Sequence, residues 1–279
     1  KCPPNGQGIT DLLMLNILSG YDLAQYGPGN DDGTGEPTRI HLAIEAARLA
    51  YRDRDCYVAD PDQATVPVND LLSIDYAERL RRQISLDRAM PDLPPPTFPL
   101  HPDTVYLCVV DGEGNAISFI NSIFHSFGSG LVSPQSGVLF HSRGSSFKID
   151  PTHWNCIAPR KRPMHTIIPG MLMQGGRAVM PFGVMGAGYQ PAGQVHLLTN
   201  LLDYGMDVQT ALDFPRFFAY NNVCQVERGI APAVVDWLQQ RGHRVQPAPH
   251  PLGGGQAIWI DWDRGILMGG SDPRKDGCA

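Results

Sequence analysis

Residues 103–111 read Asp103-Thr104-Val105-Tyr106-Leu107-Cys108-Val109-Val110-Asp111, directly after the proline-studded run PDLPPPTFPLHP at 91–102. Before this point the chain reads as helical; after it, as sheet. From Thr104 onward apolar side chains recur with the period of two that places alternate residues on opposite faces of a strand. Residues 116–121 repeat that pattern beyond Asp111-Gly-Glu-Gly-Asn115, so the two runs predict a hairpin. The proline run itself cannot donate to a sheet ladder and reads as an extended, accessible linker.

Working upstream, residues 1–90 predict three helices. Thr10-Asp11 is expected to cap a helix over 12–18 that Gly20 stops. After a glycine-rich loop at 27–35, Pro37 opens a second helix, along which Ile40, Ala43, Ile44, Ala47 and Tyr51 keep helical spacing. A third is expected at 74–84. Downstream, strands are expected at 137–140, 170–174, 178–180 and 256–260. Helices are expected at 192–204, ended by Gly205, and at 232–241, ended by Gly242. Strands grouped with helices on their faces give an α+β class. The chain divides into a helical region, 1–103, whose last part is the linker 91–103, and a strand-rich region, 104–279.

With 42% hydrophobic and 18% charged residues, the composition is that of a globular chain and not of a disordered one. A net charge of −6 without a basic run argues against nucleic acid as a partner. No apolar stretch approaches the roughly 20 residues of a membrane helix. Nine histidines and six cysteines are dispersed without CxxC, HExxH or HxxxH spacing, so neither a metal nor a cofactor is expected. Cysteines read as free thiols lean towards a cytoplasmic compartment. A periplasmic or secreted location stays open, because the chain starts at Lys1-Cys2-Pro3-Pro4 without an initiator Met.

Four stretches are candidates for chemistry. Thr104 is by local pattern an ordinary strand residue. Yet a hydroxyl between an accessible linker and a strand also suits an enzyme that cuts its own chain there and uses the freed α-amine as its base. Phe127-Gly128-Ser129-Gly130 is a glycine turn after the second hairpin strand, and Arg160-Lys-Arg-Pro-Met-His-Thr166 is a basic turn leading into an apolar strand. Phe182-Gly-Val-Met-Gly-Ala-Gly188 lacks nucleotide-loop spacing. It is either a plain tight turn or one whose N–H groups hold a negatively charged oxygen.

In order along the chain, the stretches Pro3-Pro-Asn-Gly-Gln-Gly8, Thr104 to Asp111, Lys161-Arg-Pro163, Asp203-Tyr-Gly205, Pro215-Arg-Phe217 and Ser271-Asp-Pro-Arg274 form a set. That set resembles the γ-glutamyltransferase (glutathione hydrolase) family of N-terminal-nucleophile hydrolases. The resemblance implies an αββα four-layer sandwich of which this chain would be the C-terminal part. It implies autocatalytic cleavage between Asp103 and Thr104, attack by Thr104 on a γ-glutamyl amide such as glutathione, and transfer of the acyl group to water or an amino acid. It further implies that Ser122 hydrogen-bonds the nucleophile and that the N–H groups of Gly186 and Ala187 form the oxyanion hole, where the family usually has Gly-Gly. Missing large-subunit residues, or a companion chain carrying them, become the expected partner. Without the resemblance, Ser122 is an ordinary polar strand position.

The departures gather at substrate recognition. Phe124 stands where the well-studied branch has Asn. Ser146 replaces the acidic residue that holds the substrate ammonium, Arg143 a neighbouring amide or acidic position, and His165 and Thr166 the paired serines that hold a carboxylate. Losing a carboxylate removes an ammonium partner worth about 1.5–3 kcal/mol, and adding a guanidinium attracts an anion. These changes point to the acylase-like branch, with a glutaryl- or cephalosporin-acylase-like preference, unless Arg143 is only a solvated surface residue. A catalytically silent fragment acting as a binding partner is the remaining alternative.

Overall fold

The computed structural model describes residues 1–27, 35–94 and 103–279. Residues 28–34 of the expected loop and 95–102 of the expected linker lie outside the described residues. Four helices precede the strands: α1 (Gly8–Leu18), α2 (Gly35–Tyr57), the single turn α3 (Val68–Leu71) and α4 (Ile74–Arg81). Helix α4 is capped by Ser73, whose hydroxyl accepts from the Tyr76 N–H. Helix α1 begins earlier than Thr10-Asp11 suggested. Both residues lie buried within it, and the Asp11 carboxylate pairs with the Lys1 ammonium at 2.8 Å instead of capping.

The predicted hairpin forms from β1 (Asp103–Val110) and β2 (Ala116–Phe124). A second, antiparallel sheet comprises β3 (Gly170–Gln174), β4 (Arg177–Met185), β8 (Gly254–Asp261) and β9 (Ile266–Ser271), in that spatial order. A third joins β5 (Phe217–Tyr220), β6 (Val223–Val226) and β7 (Arg244–Pro247), the last pair parallel. Helices α5 (Gln190–Leu202), α6 (Val208–Asp213) and α7 (Pro232–Gln240) complete the order. The strand expected at 137–140 does not form. Only an isolated Val132–Leu139 bridge occurs there, Gly137 turns at φ +70°, and Val138 and Phe140 face solvent, so no neighbouring ladder holds the segment extended.

The layers follow from the side-chain pattern. One face of the hairpin buries Tyr106 and Ile120 against Met185 of β4. Close approach is possible because β4 carries Gly183: a Cβ there would lie 2.4 Å from the Tyr106 ring. The opposite face of the four-stranded sheet sends Met180, Phe182 and Val184 into the main core with Met14 and Ile17 of α1, Leu42 and Leu49 of α2, and Val195 and Leu198 of α5. Three successive layers of an αββα sandwich are therefore present: hairpin, sheet and helices. The hairpin's outer face carries Val105, Leu107, Val109, Ile117 and Phe119, all exposed. In the four-layer arrangement a second helical layer covers such a face; none does so among the described residues.

Candidate active site

Thr104 sits at a register irregularity. Asp103 pairs with Phe124 and Val105 with Asn121, so two residues of β2 oppose one of β1. Such a bulge re-aims a side chain, and here it brings the Thr104 hydroxyl to 3.2 Å from Ser122 Oγ, to which it donates. Ser122 Oγ also accepts the Phe124 N–H at 3.0 Å. The same hydroxyl thus orients both Thr104 and the end of its own strand.

Strand β4 ends at a sharp turn facing this pair. Gly186 adopts φ +122°, ψ 32°, a conformation closed to side chains, and a Cβ on it would meet Gly253 Cα at 3.1 Å. Ala187 follows at φ +50°, fully buried, so its Cβ is accommodated in the left-handed region. The N–H groups of this turn open a 3-10 helix (Ala187–Tyr189) that runs into α5, and the first N–H groups of a helix lack intrahelical acceptors. Thr104, Ser122 and Gly186 line one cleft of about 600 Å³, together with Met185, Gly253 and Lys275. The arrangement places two hydrogen-bonded hydroxyls and the backbone of a tight turn around one space, the kinds of group that acyl transfer uses.

The four residues expected to recognise substrate form a second cluster outside this lining. Arg143 is not a solvated surface residue: it is 2% exposed. Its Nη1 donates to Thr166 Oγ1 at 3.0 Å, while Nε and Nη2 have no partner among the described residues. Burial lowers its pKa to about 10, and no carboxylate of the described residues raises it again. It therefore remains cationic at neutral pH, buried without a counter-ion among the described residues. His165 is held neutral, its pKa pushed down to about 3 by burial first and then by Arg143 and His141. Its Nδ1 accepts the Ile167 N–H. Ser146 is buried, and its hydroxyl is directed at the Arg143 and Met164 carbonyls, 2.9 Å from each. It fixes the loop that carries Arg143 and offers no negative charge to an ammonium. Phe124, 1% exposed, touches both clusters: its N–H donates to Ser122 Oγ, and Arg143 Cζ lies 5.1 Å from its ring centroid.

One residue that ties the halves together carried no assigned role in the sequence. Gln7 is fully buried, and its Nε2 donates to Thr166 O at 2.7 Å and Ala187 O at 2.9 Å. Its Oε1 accepts from Arg54, and its backbone N–H donates to His165 O. Gln7 belongs to Pro3-Pro-Asn-Gly-Gln-Gly8, so the signal was the motif itself, while the side-chain geometry was not readable from it.

The gamma-glutamyltranspeptidase family model matches residues 1–279. The chain is 37% identical to the glutathione hydrolase-like YwrD proenzyme of Bacillus subtilis, over 100% of this chain and 53% of that protein. It is 32% identical to the oxamate amidohydrolase proenzyme of Klebsiella pneumoniae, over 99% and 52% respectively. The structure of cephalosporin acylase from Bacillus halodurans superposes with a TM-score of 0.87 at 40% identity, covering 99% of this chain and 49% of that one. The chain thus spans about half the length of these relatives.

Proposed function

The chain belongs to the gamma-glutamyltranspeptidase family of N-terminal-nucleophile hydrolases, and from that premise we propose that it carries the nucleophile of a self-processing amidase. Its acyl donors are amides whose acyl group ends in a carboxylate and lacks an α-ammonium, glutaryl amides being the simplest case. In the first stage Thr104 Oγ1 attacks the Asp103 carbonyl. The chain passes through an ester and water cleaves it, leaving a carboxylate on Asp103 and a free amine on Thr104. In turnover that amine takes the Thr104 hydroxyl proton as Oγ1 attacks the substrate carbonyl. The turn at Gly186 and Ala187 stabilises the oxyanion, and the proton passes to the leaving amine. Water or an acceptor amine then releases the acyl group from Thr104.

The observation that carries the acyl preference is the buried, unpaired guanidinium of Arg143 beside Thr166. A buried charge is stable only when paired, and a substrate carboxylate supplies the pair. With Ser146 committed to carbonyls, the cluster offers no carboxylate to an ammonium. A second reading, hydrolysis of γ-glutamyl amides such as glutathione, is favoured by the glutathione hydrolase-like relative at 37% identity. The test is the ratio of kcat/KM for glutaryl and γ-glutamyl p-nitroanilides, measured on the processed full-length protein. A ratio above one supports the carboxylate-only donor, and a strong γ-glutamyl preference overturns it. We further propose that polypeptide corresponding to the other half of the relatives covers the exposed outer face of the hairpin.

A further inference from the structure

Phe124 is unusual on three independent counts. It is one of few non-glycine residues at positive φ, at +79°. Its ring is buried against the Arg143 guanidinium on one side and packs on His125, centroids 4.6 Å apart, on the other. Its backbone is joined both to the nucleophile's partner, through the N–H to Ser122 Oγ, and to the cleavage junction, as the register partner of Asp103. A phenylalanine keeps a left-handed backbone only where its surroundings over-determine it. Here those surroundings are a buried ring, a cation–π stack and one hydrogen bond.

The ring's position has a consequence for substrate. Ser122 and Ile123 line the open cleft around Thr104, whereas Arg143 is sealed from solvent, and the ring of the next residue, Phe124, is buried against its guanidinium. An acyl group attached to Thr104 can set its far carboxylate on Arg143 only if that ring gives way. We propose that Phe124 is the acyl-specificity gate of this site: its side chain closes the Arg143 pocket in the free enzyme and is displaced by acyl groups long enough to deliver a carboxylate to Arg143. The gate rests on the reading of Arg143 as the carboxylate anchor. In the closed state the cation–π contact gives the guanidinium a substitute partner. A carboxylate of sufficient reach replaces it with a charge-assisted hydrogen bond, which is stronger. A shorter acyl group reaches neither Arg143 nor the energy needed to move the ring. Discrimination by length therefore arises from displacement and not from a fixed wall.

A gate and a wall respond to substitution with opposite signs. Deleting a contact wall weakens ligand binding, whereas deleting a gate removes the conformational penalty paid by each ligand and tightens it. The experiment is calorimetric titration of glutarate, with acetate as a control lacking reach, into the processed full-length protein and its variants Phe124→Gly, Phe124→Leu and Arg143→Met. Glycine also suits the +79° backbone, and leucine preserves buried apolar volume in case the glycine variant folds poorly. The expected result is glutarate affinity higher by about tenfold or more in Phe124→Gly, raised less in Phe124→Leu, with acetate unchanged. Unchanged or weaker glutarate binding in both Phe124 variants overturns the gate. Arg143→Met separates the two ideas. Loss of glutarate binding there keeps the anchor reading whatever Phe124 does, and wild-type binding there refutes the anchor and the gate with it.

Discussion

Replacing Arg143 by Met sets function against stability in a way few other substitutions here can. The guanidinium is buried with Nε and Nη2 unpartnered among the described residues, and burial lowers its pKa to about 10. Keeping this charge in the free protein costs roughly 3 kcal/mol. The variant regains that amount but loses the stack on the Phe124 ring and leaves the Thr166 hydroxyl without its donor, roughly 1 kcal/mol each. The net expectation is a gain of about 1 kcal/mol, visible as a rise of a few degrees in the unfolding midpoint by calorimetry. Activity moves the other way. A charged hydrogen bond to the acyl carboxylate is worth about 1.5–3 kcal/mol, so kcat/KM for a glutaryl anilide falls roughly 10- to 150-fold while that for a neutral butyryl anilide holds. A less stable variant would refute the reasoning by showing that Arg143 has a permanent partner in the whole protein. Equal losses on charged and neutral donors would show that it does not touch the acyl carboxylate.

Three further outcomes follow from the same geometry. Ser122→Ala leaves the Thr104 hydroxyl and the Phe124 N–H without their shared acceptor, so both cleavage and turnover slow by about tenfold, read by gel time course and stopped assay. Gly186→Ala forces a side chain onto φ +122° and towards Gly253, costing roughly 10²–10³ in kcat, whereas Ala187→Gly relieves a left-handed alanine and stabilises by up to about 1 kcal/mol with kcat retained. The buried His243, hydrogen-bonded to His41, has its pKa pushed down to about 3 by burial first and then by His41 and Arg48. Below about pH 6.5 the unfolded chain therefore binds more protons than the folded one, and stability falls as pH drops, by about 2 kcal/mol at pH 5 for this one imidazole. His243→Gln flattens that dependence, as denaturant melts from pH 7 to 5 would show.

What could be read from the sequence was what periodicity and order carry. Hairpin alternation placed Thr104 at a strand start. The spacing of Ile40, Ala43, Ile44 and Ala47 gave α2, and Gly205 and Gly242 stopped helices close to where the structure does. Short elements escaped: β5 to β7 are four residues each, too short for a period to accumulate, and Gly269-Gly270 hides β9. The Thr10-Asp11 cap failed because burial and the Lys1 ion pair outweighed local capping preference. At the site, residue type indicated a cation near position 143. Whether that cation was solvated or buried depended on Gln7 and Thr166, which come from distant parts of the chain and meet only on folding. The bulge that turns Thr104 towards Ser122 is likewise a property of two paired strands, invisible in either one alone.

The central claim is that Thr104 becomes a free N-terminus and carries the acyl group. Its most direct test is peptide mass spectrometry of the full-length protein, quenched in acid during turnover of a glutaryl anilide. The account predicts a mature fragment starting at Thr104, with a glutaryl ester on that first residue, and neither cleavage nor adduct in Thr104→Ala. An unbroken Asp103–Thr104 bond in active protein, or an acyl adduct on any other side chain, contradicts it.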